Sequence, residues 1–138
     1  MYLNREIFIR LPPELGLSKD SLLQVVKPLY GVPEAGNHWF RTYHDHHTQE
    51  LKMTQSTYDP CLLHTSTNRF GLVGLQTDDT LFLADPEFAY NEETELQKAK
   101  FLAKDREKLT TQHLIKFNGG QINLQKDHSI RLTQEHQA

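Results

Sequence analysis

One cysteine, Cys61, is too few for a disulfide within the chain or for a Cys-rich zinc cage, and suits a reducing compartment. No apolar run approaches the roughly 20 residues that span a bilayer. The start, Met1-Tyr-Leu-Asn-Arg-Glu6, has the character of neither a signal peptide nor an Arg-rich transit sequence. These absences lead to the expectation of a cytoplasmic or nuclear protein with no membrane partner. An excess of one charge is missing too. Fifteen Lys and Arg against eighteen Asp and Glu give a net charge of -3, so no general basic field holds a polyanion by counterion release. Any nucleic-acid contact has to be local. Internal repeats and low-complexity segments are lacking, and the 7 glycines and 6 prolines are spread as punctuation rather than gathered into a linker.

What is present suffices for a fold. The length of 138 residues matches a single domain. Leu, Ile, Val and Phe make up about a quarter of the chain, above the level at which a chain stays disordered for want of apolar surface. A mean hydropathy of -0.63 points to a thin core or a missing partner surface. Alternation over Glu6 to Leu11 reads as a strand ended by Pro12-Pro13, and Leu22 to Val26 is a second short apolar run stopped by Pro28. From Glu34 to about Lys52, Trp39, Tyr43 and Leu51 recur at helical spacing, giving an amphipathic helix with bulky aromatics on its apolar face.

The most informative stretch follows. Phe70 to Leu75 and Thr80 to Ala84 are apolar runs of strand length separated by Gln76-Thr77-Asp78-Asp79, which predicts a β-hairpin with two adjacent carboxylates at its tip and strands buried on both faces. Asp85-Pro86-Glu87 supplies an N-cap, a proline at the first helical position and an early acid, opening a helix expected to run to about Lys108. Its acids precede its bases, an order that complements the helix dipole and reads as a solvated face in preference to a nucleic-acid stripe. Ile115 to Phe117, Gln121 to Leu124 and Ser129 to Leu132 read as short strands joined by Asn118-Gly-Gly120 and Lys126-Asp-His128 turns.

Asp78 and Asp79 carry the strongest chemical signal. An Asp-Asp turn is ordinary alone, because Asp bonds its own backbone in turns. Two carboxylates held rigidly at the end of a core sheet also form a hard oxygen pair that suits Mg2+ together with substrate phosphates, and two such ions stabilise both oxygens of a phosphoryl transfer. His44, Asp45, His46 and His47 fall short of a closed metal site, and the helical register puts His47 on the apolar side and His44 away from it. Cys61 has no designated base beside it and reads as an inert thiol. The turn from Pro28 to Gly36 lacks the P-loop pattern.

In order along the chain, Leu29-Tyr30-Gly31-Val32-Pro33-Glu34-Ala35-Gly36-Asn37-His38-Trp39, Asp59-Pro60-Cys61-Leu62, Thr77-Asp78-Asp79 and Ile115-Lys116-Phe117-Asn118-Gly119 resemble the reverse transcriptase of copia-type LTR retrotransposons, with variants like those of its fungal branch. That family shows L-Y-G-L-K-Q-x-x-x-x-W, D-P-C-L, Y-V-D-D and K-Y-F-L-G at comparable spacing, and the likeness covers roughly residues 4 to 134. The resemblance implies an α+β fold: part of a polymerase palm, with an antiparallel sheet bearing the Asp-Asp hairpin packed on two helices. It implies an RNA-directed DNA polymerase, a nucleotidyltransferase in which Asp78 and Asp79 bind the two catalytic Mg2+ ions. Tyr30, Gly31, Glu34 and Gln76 would lie on the nucleotide and template side. RNA template, DNA primer, deoxynucleotide and the rest of a Pol polyprotein would be the partners.

Two departures stand out: Gln76 replaces the hairpin tyrosine, and Glu34 replaces the polar glutamine of the pocket turn. The family's first catalytic Asp, most of the fingers and the thumb have no counterpart in residues 1 to 138. A single partial palm domain without activity of its own is therefore expected. Two other classes stay open: a non-enzymatic relic or interaction module, and another Mg2+-dependent phosphoryl-transfer enzyme such as a nuclease. The latter needs a third carboxylate at the tip, for which Glu6, Glu34 and Asp85 are the candidates.

Overall fold

The computed structural model describes residues 6–18, 20–27, 35–66 and 68–134. The chain divides into two compact units, residues 1–43 and 44–138. In the first, β1 (Phe8–Arg10) pairs antiparallel with β2 (Leu22–Gln24), a short 3-10 turn (Pro13–Leu15) lies between them, and Val25 N–H donates to Ile7 C=O. A two-stranded ribbon buries little by itself. Phe8, Leu15, Leu17 and Leu22 are accordingly exposed. The first helix, α1 (Ala35–Gln49), begins in this unit, where Trp39 and Tyr43 stack one turn apart with ring centroids at 5.2 Å.

The second unit starts at His44 within α1 and holds a four-stranded antiparallel sheet in sequence order: β3 (Thr54–Gln55), β4 (Leu62–His64), β5 (Gly71–Gln76) and β6 (Asp79–Ala84). A second helix, α2 (Pro86–Lys98), follows, and then a three-stranded antiparallel sheet of β7 (Ile115–Phe117), β8 (Gly120–Leu124) and β9 (Ile130–Gln134). This is the mixed α and β architecture with antiparallel sheets that the sequence predicts. The short strands β3 and β4 are additions to it.

Side chains alternate along a strand, so one face of the larger sheet collects Leu63, Val73, Leu75 and Phe82. Leu63, Val73 and Leu75 are buried with Leu51, Met53 and Phe88, and they form the core. The α2 helix lies on this face so closely that a Cβ added at Gly71 would meet the Phe88 ring at 2.7 Å. Glycine is required there for packing. The opposite face carries Leu62, Leu72, Leu81 and Leu83, and Leu83 is 64% exposed. The expectation of strands buried on both faces is therefore corrected: among the described residues a helix covers only one side of the sheet.

Asp85 caps α2 as expected, its carboxylate accepting from Phe88 N–H at 2.7 Å and from Phe70 N–H at 2.8 Å. The helix stops about ten residues short of the expected end. Lys100 takes a left-handed φ of 58°, its N–H donates to Gln97 C=O, and Phe101 N–H donates to Leu96 C=O. That pair of bonds is a Schellman ending. It is made without the glycine that normally advertises it, which is why the sequence reads through it. Residues 101 to 114 are irregular, and Leu102 is fully exposed.

Candidate functional site

The hairpin is closed by register: Gly71 to Gln76 pair one for one with Ala84 to Asp79. Gln76 therefore faces Asp79, and Thr77-Asp78 is a two-residue turn. Such turns require positive φ, which glycine or asparagine normally provides. Here Thr77 adopts φ 53°, an unfavourable conformation for a β-branched residue. Six paired residues on either side hold it in place. Local strain of this kind persists only where the surroundings over-determine it.

Asp78 and Asp79 are both exposed. Asp78 belongs to the turn, whereas Asp79 is the first residue of β6 and shares its side with Leu81 and Leu83, opposite the side that α2 covers. The donor set suits Mg2+ in type and falls short in number: two carboxylates at consecutive positions offer hard oxygen ligands, yet among the described residues no three His, Cys, Asp or Glu side chains converge to hold a metal. Asp85 lies at the far end of β6, about 20 Å away at ordinary strand rise, and both its oxygens are engaged by backbone N–H groups. It is thereby removed as a third ligand. Glu6 belongs to the other unit. Tyr30, Gly31 and Glu34, expected on the nucleotide side, lie outside the described residues. Gln76 stands beside the acids as the partner of Asp79.

The three histidines near the end of α1 do not converge. His44 Nε2 meets Gln55 Oε1 at 2.8 Å, His46 Nε2 meets Glu95 C=O at 3.3 Å, and His47 Nε2 meets Glu92 Oε1 at 3.0 Å. Three rings with three separate partners make no metal site, and His47 is fully buried as the helical register predicts. Burial pushes the Cys61 thiol up, and the neighbouring Asp59 carboxylate adds to this. A thiol so placed is a poor nucleophile.

Sequence reasoning missed the most buried charged group. Glu92 is 3% exposed; its Oε1 accepts from His47 and its Oε2 from the Arg106 guanidinium. Arg106 also donates to Ala89 C=O at 3.0 Å and lies 4.8 Å from the centroid of the Phe82 ring. It reaches back from the irregular segment to clamp α2 onto β6, the strand that begins with Asp79. The expected solvated charge face is thus corrected at Glu92. No local signal reveals this, because Glu92 and Arg106 meet only when the helix ends early.

Over 64 residues the chain is 31% identical to the Gag-Pol polyproteins of the Saccharomyces cerevisiae transposons Ty1-DR4, Ty1-DR6 and TyH3. The match takes in 46% of this chain and 4% of each polyprotein. This chain is similar to part of a retrotransposon Gag-Pol polyprotein. No family model matches the sequence, and no solved structure matches the fold. Among the described residues no helix is long and apolar enough to cross a membrane.

Proposed function

We propose that the chain is a palm segment of a copia-type reverse transcriptase, an RNA-directed DNA polymerase, with Asp78 and Asp79 as two of its metal-binding carboxylates. The observation that carries this reading is the two-residue hairpin itself. It fixes adjacent acids at the end of a strand pair whose other face is core, in a chain similar to Ty1 Gag-Pol sequences. Magnesium bound there would neutralise charge on the attacking 3'-hydroxyl and on the pyrophosphate leaving group of a deoxynucleotide. The chain contributes direction: Asp79 is held on the open face of the sheet, Asp78 at the turn, and Gln76 across from Asp79 where the family has tyrosine. Template, primer and nucleotide would approach over that open face.

Carboxylates that act as a unit fail together. With two acids at the tip and no third among the described residues, the 138-residue chain is expected to show no incorporation above background in primer extension on an RNA template. Robust incorporation that is abolished by Asp78→Asn would refute the expected inactivity while supporting the assignment of the acids. Titration with Mn2+, followed by paramagnetic broadening, should affect Asp78 and Asp79 first; broadening elsewhere with none at the tip would remove the metal role. A non-enzymatic interaction module is the second reading, favoured by the exposed Leu83, Ile130 and Leu132 on the sheets. A tip silent to Mn2+ would support it.

A further inference from the structure

We propose that His46 is an acid-sensitive latch joining the end of α1 to the end of α2. Its Nε2 faces Glu95 C=O, a group that can only accept, so Nε2 carries the hydrogen and Nδ1 holds the lone pair. Nδ1 is buried and meets no partner among the described residues. The ring is wedged edge-on against His47, with centroids at 5.4 Å, and against Phe101, at 5.3 Å. Phe101 is the residue whose N–H closes the Schellman ending of α2. One imidazole therefore holds the last turn of α1, the last turn of α2 and the start of the irregular segment.

A neutral ring leaves only a lone pair unbonded at Nδ1, whereas a charged one would bury a donor and a charge there. Protonation would place a second N–H at Nδ1, buried with no acceptor, beside the His47 ring. The charged groups around it are His47 and Glu50 on α1, and Glu95 with its partner Lys98 on α2; Glu92, held by His47 and Arg106, lies one contact further away. Burial holds the His46 pKa below the ordinary histidine value, and His47 lowers it further, against the opposing pull of the Glu95 carbonyl and of Glu50 and Glu95. The sign follows. The unfolded chain takes up its proton near pH 6.5 while the folded chain resists, so stability is complete above about 6.5 and declines as pH falls below it until the folded ring also titrates.

The test uses the 138-residue chain between pH 7.5 and 5, a range chosen to lie above most carboxylate titration. Expected are a fall in Tm of a few degrees across that range, early loss of amide protection over Leu96 to Phe101, and an NMR titration of the His46 ring with its midpoint below 6.5. His46→Gln, which keeps a donor for Glu95 C=O and cannot be protonated, should remove the fall in Tm. A His46 midpoint at or above 6.5 in the folded chain overturns the proposal without any variant. So does an unchanged fall in Tm in His46→Gln.

Discussion

Replacing Glu92 with leucine removes the acceptor that the buried His47 and the partly exposed Arg106 share. His47 is fully buried, so loss of the Glu92 acceptor facing its Nε2 costs about 1–3 kcal/mol. The Arg106 side chain is 28% exposed and would keep Ala89 C=O and the Phe82 ring, losing its carboxylate. Breaking a buried pair from one side costs about 3–5 kcal/mol in measured cases. Partial solvent access to Arg106 puts the expected loss near the lower end, about 3 kcal/mol. Against a total stability of about 5–15 kcal/mol that is a substantial fraction. Urea unfolding followed by far-ultraviolet circular dichroism would read it as a lower midpoint, by about 1–3 M for a slope of about 1–3 kcal/mol/M. A further arm separates charge from shape: His47→Phe, Glu92→Leu and Arg106→Met together should recover most of the loss, because no buried polar group is then left alone. A loss below about 1 kcal/mol for Glu92→Leu alone would refute the reasoning, since it would mean that water reaches the carboxylate.

Gly71→Ala should destabilise by about 1–3 kcal/mol, because the added methyl meets the Phe88 ring; an unchanged Tm would mean that α2 can shift outward at no cost. Lys100→Gly should raise stability by about 1 kcal/mol by relieving the left-handed φ at the helix end, and Thr77→Gly should act alike at the hairpin turn; a lower Tm in both would refute the assigned backbone conformations. The N–H groups of Phe88 and Phe70 hold the Asp85 carboxyl below the usual carboxylate range. The stability it contributes is therefore present above about pH 4 and lost as pH falls through the folded pKa. Asp85→Asn should flatten that acid limb of a stability profile, and an unaltered limb would count against the double cap.

The hairpin, the Asp85-Pro86 helix start and the three closing strands were legible because each rests on neighbours in sequence: alternation, a cap and turn residues. The position of His47 was legible for the same reason, through helical spacing from Trp39 and Tyr43. The end of α2 was not, because Lys100 carries no mark of a left-handed residue. Everything that depended on that end went with it, above all the pairing of Glu92 with Arg106 across 14 positions. The open side of the sheet was hidden for another reason. Leu72, Leu81 and Leu83 have the letters of a doubly covered strand, and whether a second layer covers them is decided by tertiary structure rather than by composition. Adjacent carboxylates at a hairpin tip could be read from the letters; that Asp78 belongs to the turn and Asp79 to the strand could not.

A two-residue connection also makes loop length an inherited quantity. Side chains alternate with a period of two, so one inserted or deleted residue before β6 that slips the pairing would carry the second acid to the side where α2 is packed. Substitutions at Thr77 change only how comfortably the corner is turned, while changes in its length decide which compartment of the molecule the carboxylate serves. Lineages that vary the letters of this corner and keep their number would leave the direction of the acid intact.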